Sequence, residues 1–278
     1  MAGRGRGRGR GLLLSKAISP GMTEDEDKKV SVAEVSPPAP HPKDMRSTAA
    51  LAELETLISQ ILYDISDDDL QHIERLSNAA ASSEDLHTIA KFIYIQCQKN
   101  REFAKVGAII CDRLANIERE GMRFRNCILS LVQTDYRGRE ALRRESSSQF
   151  MALVSFLSQL LTTMRLANGE VMQPLVQPIY DCFDLILSQD EMDADECECL
   201  SLQLQSIGRE LQDSGEDQMQ ALMDNIRSKI IQEKTKANIR CVLMEVLECY
   251  VRRWQNAPND VTRFYCDSMA DILAGMVI

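Results

Sequence analysis

Aromatic residues make up only 5% of the 278-residue sequence, with one tryptophan, and histidine occurs three times. So few aromatics beside abundant Leu, Ile, Met and Ala suit helices packed on helices better than sheets. Proline is absent from Thr48 to Gln173, so nothing there forbids continuous helix. No apolar run approaches the ~20 residues that span a bilayer, which argues against a membrane protein. The nine cysteines form no pair of metal-binding knuckles, and an odd, unpatterned set argues for a reducing compartment rather than a disulfide framework. A Gly-rich phosphate loop is missing, and His41, His72 and His87 stand in no Ser/His/Asp order. The acid clusters 67–69 and 190–198 fall at helix starts, where the macrodipole favours them, and lack EF-hand spacing. These absences speak against an enzyme and imply neither cofactor nor metal.

What is present divides into two textures. Residues 1–45 hold five of the eight prolines, an Arg-Gly repeat, the acidic run EDED and the cluster SPPAPHP, without periodicity. This composition predicts a disordered arm over 1–46. Its start has no acid and contains LLL, faintly like a targeting segment. The apolar part is too short for secretion, and glycine at every second position from Gly3 to Gly11 works against an amphipathic transit helix. The arm carries eight Lys/Arg and six acids, whereas the rest carries 24 and 36. An acidic body does not embrace phosphates over its whole surface, so any RNA contact is local. Arg4, Arg6, Arg8 and Arg10 are the candidates for a weak, salt-dependent one.

From Thr48 onward, apolar positions recur at helical spacing. The pattern predicts about eleven helices, with Ser66 and Ser82 as N-caps, one uninterrupted segment over 122–146, and a helix running to the stop signal Asn168-Gly169. No strand signals lie between them. Short connections make neighbours antiparallel. The expected fold is therefore all-α: a HEAT-like α-solenoid of about five antiparallel pairs forming one domain over 47–278, with a compact irregular bundle as the alternative.

Within DECECLSLQLQSIGRELQDS (195–214), Cys197, Leu200, Leu204, Ile207 and Leu211 make one helical stripe. Cys199 falls about 200° around the helix from Cys197, poor geometry for a shared zinc ion. The stretch reads as a core helix.

The segment 122–146 concentrates Arg123, Arg125, Arg137, Arg139, Arg143 and Arg144 in an acidic protein. Such arginines are either a solvated helix face or a docking patch for an acidic partner segment or RNA phosphates. Arg143-Arg144-Glu145-Ser146 also resembles a basophilic kinase site, and phosphate on Ser146 would cancel part of such a patch.

Three places resemble one family. FRNCILSLVQTDY (124–136) is similar to a Phe-Arg-x-x-Leu-Leu-x-x-x-Gln-x-x-Tyr/Phe helix through Phe124, Arg125, Ile128, Leu129, Gln133 and Tyr136. Tyr180-Asp181-Cys182 fills the start of a pair's inner helix, and CLSLQLQSIGREL (199–211) is similar to Cys-Leu-x-x-x-Leu-x-x-Ile-Gly-x-x-Leu. The pattern resembles the middle domain of eukaryotic translation initiation factor four-gamma, over roughly 47–278. Within that family the details look most like the small stem-loop-binding-protein-interacting member, then the cap-binding-complex-dependent initiation factor; the Arg-Gly arm is a departure.

The resemblance implies a HEAT-type scaffold without enzymatic activity. Its partners would be stem-loop-binding protein, the nuclear cap-binding complex, initiation factors or a DEAD-box helicase, in the cytoplasm and also the nucleus. Direct RNA binding is the competing function, and pairing of two copies through a flat helix face is open. Arg125 and Gln133 read as structural or as ligand contacts. Tyr136, Tyr180, Arg252, Arg253 and Trp254 are the expected anchors, since aromatics and arginines dominate hot spots, although Trp254 could equally cap the last helix pair.

Overall fold

The computed structural model describes residues 42–166 and 168–275, with side chains from Ser47 onward. Residues 1–41 of the expected arm, with Arg4, Arg6, Arg8 and Arg10, lie outside the described residues, whereas 42–46, expected to be disordered, are the first residues of a helix.

Twelve helices occur among the described residues: α1 (Pro42–Gln60), α2 (Asp67–Asn78), α3 (Ser83–Lys99), α4 (Ala104–Leu114), α5 (Phe124–Arg137), α6 (Arg139–Glu145), α7 (Ser147–Thr163), α8 (Val176–Leu187), α9 (Ala194–Ser214), α10 (Glu216–Ile231), α11 (Ala237–Val251) and α12 (Asn259–Leu273). They stack in two layers. One contains α1, α3, α5, α8 and α10; the other contains α2, α4, α7, α9 and α11, with α12 against α11. Each helix packs on its sequence neighbour across the layers and on the next pair along its own layer, the arrangement of an all-α HEAT-like solenoid. The expected five pairs are α1/α2, α3/α4, α5/α7, α8/α9 and α10/α11.

The starts follow from local chemistry. Ser66 accepts from the Asp69 amide at the head of α2. Ser82 and Asp85 form a reciprocal capping box on α3, satisfying amides the first turn leaves without partners. Asp193 caps α9 in the same way. α7 is buried around most of its circumference, with eleven buried residues from Phe150 to Leu161, nine of them apolar, as befits a helix packed against α3, α4, α8 and α9.

The structure departs from expectation in three further places. The segment 122–146 is two helices, broken at Gly138, so that α6 bridges from one layer to the other. α7 stops at Thr163, before the Asn168-Gly169 signal; Arg165 and Val171 then form a β-bridge, with Gly169 at φ 82°. A two-stranded hairpin also occurs, β1 (Glu118–Arg119) and β2 (Met122–Arg123). Its turn residues Glu120 and Gly121 both have positive φ, 51° and 77°, as a tight two-residue turn requires. The Glu120 carboxylate offsets the strain by accepting from the Ser83 amide and hydroxyl at 3.0 and 2.7 Å.

Cys197 and its stripe are buried as expected. Cys199 is buried too, because α9 lies between α7 on one side and α8, α10 and α11 on the others. Its thiol sits 3.7 Å from the Ser155 hydroxyl of α7.

Candidate functional site

α5 turns Phe124, Cys127, Ile128 and Val132 toward the core and leaves Asn126, Ser130 and Gln133 exposed. Opposite it, Pro174 lies in a 3-10 turn, Gln173–Leu175, that leads into α8, and Pro178 lies in the first turn of α8. Between the two helices runs a groove of about 440 Å³, lined by Leu129, Gln133, Tyr136, Leu157, Leu175 and the two prolines. Asn126 stands at its end and also lines a second cleft of about 430 Å³, walled by Ala115, Asn116, Glu118, Gly121, Arg123 and Arg125. An apolar groove and an arginine-bearing cleft thus adjoin along α5, meeting at Asn126.

The cleft's two arginines are not equivalent. Arg123 donates to Glu118 across the hairpin at 2.9 Å. The half-buried Arg125 has a buried guanidinium Nε without an acceptor among the described residues. At the other end of the groove, the Tyr136 hydroxyl donates to the Asp181 carboxylate of α8. The Arg139 guanidinium lies 4.6 Å from the centre of the Tyr136 ring and 3.5 Å from Asp181. Burial, then the Asp181 hydrogen bond, pushes the Tyr136 pKa up. The phenol is therefore a neutral donor that clamps α5 to α8 while its ring walls the groove.

Other expected contact residues are occupied elsewhere. Arg143 is not on an open patch: its Nε donates to both Glu196 carboxylate oxygens at 2.9 and 3.0 Å, its Nη2 reaches the same group, and its Nη1 donates to the Leu185 carbonyl at 3.0 Å. The side chains of Arg143 and Glu196 are only 12% and 3% exposed, and Ser147 donates to Glu196 as well. Tyr180 is buried, with its hydroxyl on the Leu211 carbonyl at 3.2 Å, and joins α8 to α9 rather than anchoring a ligand. Arg137 and Arg144 are exposed. Ser146 caps α7 by accepting from the Gln149 amide at 3.3 Å, so modification there has to disturb a helix start whose neighbouring Arg143 is locked in the interior.

The tail of α11 forms a second assembly. Arg252 lies 3.5 Å from Glu248, and Arg253 is exposed. Arg253 and Trp254 take positive φ of 56° and 61°, folding the indole back over α9, where its Nε1 donates to Gln212 at 2.8 Å. A Cβ at Gly208 would sit 2.5 Å from the indole, so only glycine admits this approach. Trp254 is a cap, one edge of which lines a separate cavity of about 320 Å³ with Glu245, Glu248 and Tyr265.

Asn126, Pro174 and Pro178 escaped the sequence reading; two prolines four residues apart at a helix start were the available signal. Among the described residues no cluster of three or more His, Cys, Asp or Glu could hold a metal, and no helix is long and apolar enough to cross a membrane.

No protein-family model matches the chain. Individual proteins do. It is 33% identical over 188 residues to the CBP80/20-dependent translation initiation factor of Xenopus tropicalis, an overlap of 68% of this chain and 32% of that protein. It is 28% identical over 216 residues to MIF4G domain-containing protein B of Danio rerio, covering 75% of this chain and 96% of the relative. It belongs to the MIF4G-type domain family. MIF4G domain-containing protein A of Danio rerio aligns over 229 residues at 26% identity, 81% of this chain and 98% of that protein. The chain thus spans nearly the whole length of the shorter relatives and about a third of the initiation factor. None of the three is named as an enzyme.

Proposed function

We propose that this MIF4G-type chain is a non-enzymatic adaptor in mRNA translation that bridges an mRNA-bound protein to the initiation machinery. The observation that carries the proposal is the adjoining groove and cleft on α5, with open apolar walls and a half-buried arginine that has no partner for its guanidinium among the described residues. Such a surface suits an extended protein segment, and stacked helices present it without moving parts. The relative named for CBP80/20 dependence and translation initiation supports the biological setting and makes the cap-binding complex the first partner to test. Stem-loop-binding protein and a DEAD-box helicase follow, in the cytoplasm and also the nucleus.

The test is affinity capture from cell extract with the full chain, with and without nuclease, beside the groove-filling variant Gln133→Trp at an exposed position. Nuclease-resistant recovery of cap-binding or stem-loop-binding proteins, lost with the variant, is the expected result. Loss of every partner after nuclease would overturn the adaptor and install direct RNA binding.

A further inference from the structure

Arg125 poses a question that packing does not answer. Half-buried arginines ordinarily pair their guanidinium with a carboxylate or carbonyl, because leaving a buried donor unmade costs its full desolvation. Arg143 on the adjoining helix does so at all three guanidinium nitrogens. Arg139, Arg240 and Arg252 leave a buried Nε unmet but pair through their Nη atoms. Arg119 in the hairpin does so through the Asn78 and Ala80 carbonyls. Arg125, lining the same cleft as a neutralised Arg123–Glu118 pair, differs from all of these in having no partner at any guanidinium nitrogen among the described residues, so the Nη atoms it turns to the cleft are open to a ligand.

From this we infer that the cleft is an acidic-residue subsite. It receives the carboxylate of an Asp or Glu from the same partner segment whose apolar side chains occupy the α5–α8 groove. The inference rests on the docking reading above and supplies the chemistry of its occupant.

Charge count favours a carboxylate over nucleic acid. With Glu118 cancelling Arg123, the cleft offers one cation uncompensated among the described residues, which matches a single isolated negative charge. A nucleic-acid strand brings one negative charge per nucleotide, so the phosphates beyond the first would face the Glu118 carboxylate in the wall and a chain that beyond residue 45 has 36 acids to 24 basic residues. The Asn116 and Asn126 side chains in the wall can donate to the second carboxylate oxygen.

The geometry also sets a spacing. From Asn126, where cleft meets groove, to Gln133 is seven residues of α5, roughly 10 Å at 1.5 Å per residue. From Arg125 to Tyr136 is eleven residues, roughly 16 Å. An extended segment covers these distances in about three to five residues at roughly 3.3 Å each. The acidic residue therefore lies three to five positions from the bulky apolar residue that fills the groove.

The experiment selects peptides from a random twelve-residue display library on the full chain, then measures fluorescein-labelled synthetic copies by anisotropy. Wild type, Arg125→Gln, Arg125→Glu and Gln133→Trp are compared, with thermal melts to verify that each variant is folded. A fluorescein-labelled oligouridine serves as the nucleic-acid probe.

The expected selection carries Asp or Glu at the stated spacing. Binding weakens about ten- to a hundredfold with Arg125→Gln, the range for a charge-assisted hydrogen bond. A peptide with Lys in place of its acid recovers binding on Arg125→Glu.

Peptides blocked by Gln133→Trp yet indifferent to Arg125→Gln would overturn the acidic subsite and leave the groove standing. Peptides that ignore both variants, or no recovered peptide at all, would remove both readings. Oligouridine binding that depends on Arg125, with peptide binding unaffected, would reassign the cleft to RNA phosphates.

Discussion

Removing the Arg143 side chain strands a carboxylate that is 3% exposed. Breaking one side of such a buried pair costs about 3–5 kcal/mol, because the remaining charge loses its compensation. Arg143→Ala should therefore lower the denaturant midpoint steeply, whereas truncating exposed Arg144 in the same sequence should leave it nearly unchanged; a urea titration of both variants checks this. Gly208 offers the complementary case. Glycine to alanine in mid-helix normally stabilises by about 1 kcal/mol. Here the new methyl would collide with the Trp254 indole, so Gly208→Ala should lower the melting temperature and shift the emission of the only tryptophan. An unshifted spectrum would mean that the indole does not sit on α9.

Helix starts dominate at the scale of the element. Ser82→Ala removes the oxygen that receives the Asp85 amide and should cost about 1 kcal/mol. Its partner Asp85 makes the element acid-sensitive. Burial alone would raise the Asp85 pKa. Hydrogen bonds from the Ser47 hydroxyl at 2.6 Å and from the Ala81 and Ser82 amides at 2.7 and 3.2 Å outweigh it and hold the carboxyl below 3.8. A carboxyl with a depressed folded-state pKa contributes stability that is present above its unfolded value and lost as pH falls through the folded one. Stability from α3 should therefore decline below about pH 4. Burial drives Asp184 and Glu245 the opposite way, upward, so the clean comparison is wild type against Asp85→Asn. The variant should be the less stable protein at neutral pH and should lose less on acidification.

For the molecule as a whole, burial sorts the thiols. Cys97, Cys111, Cys127, Cys182, Cys197, Cys199 and Cys241 are buried, Cys249 is partly covered and Cys266 is exposed. Desolvation raises the pKa of the seven buried thiols; for Cys182 and Cys197 it does so to about 12. A thiol reagent at neutral pH should label Cys266 rapidly, Cys249 more slowly and the remaining seven only with unfolding. Mass spectrometry of the labelled protein counts them. Rapid modification of Cys197 or Cys199 in the folded chain would contradict the packing of α9 between its neighbours.

Much of this architecture was legible in the sequence because it depends on contacts within a few residues. Caps at Ser66 and Ser82 are hydrogen bonds spanning three positions, and the 3.6-residue spacing of Cys197, Leu200, Leu204, Ile207 and Leu211 reports the inward face of α9 directly. The two-layer stack follows from such amphipathic helices joined by short connections. Only the folded chain decided which polar side chains were free. Arg143 meets a carboxylate 53 positions away, Tyr180 a carbonyl 31 away and Trp254 an amide 42 away. In the sequence each of these resembled Arg125, which retained an unmet donor. Side chain-to-partner pairing over that separation is set by how helix pairs stack, and no local periodicity encodes it. The groove arises in the same way: α5 and the proline-marked start of α8 belong to adjacent pairs, and their spacing is created when those pairs pack together.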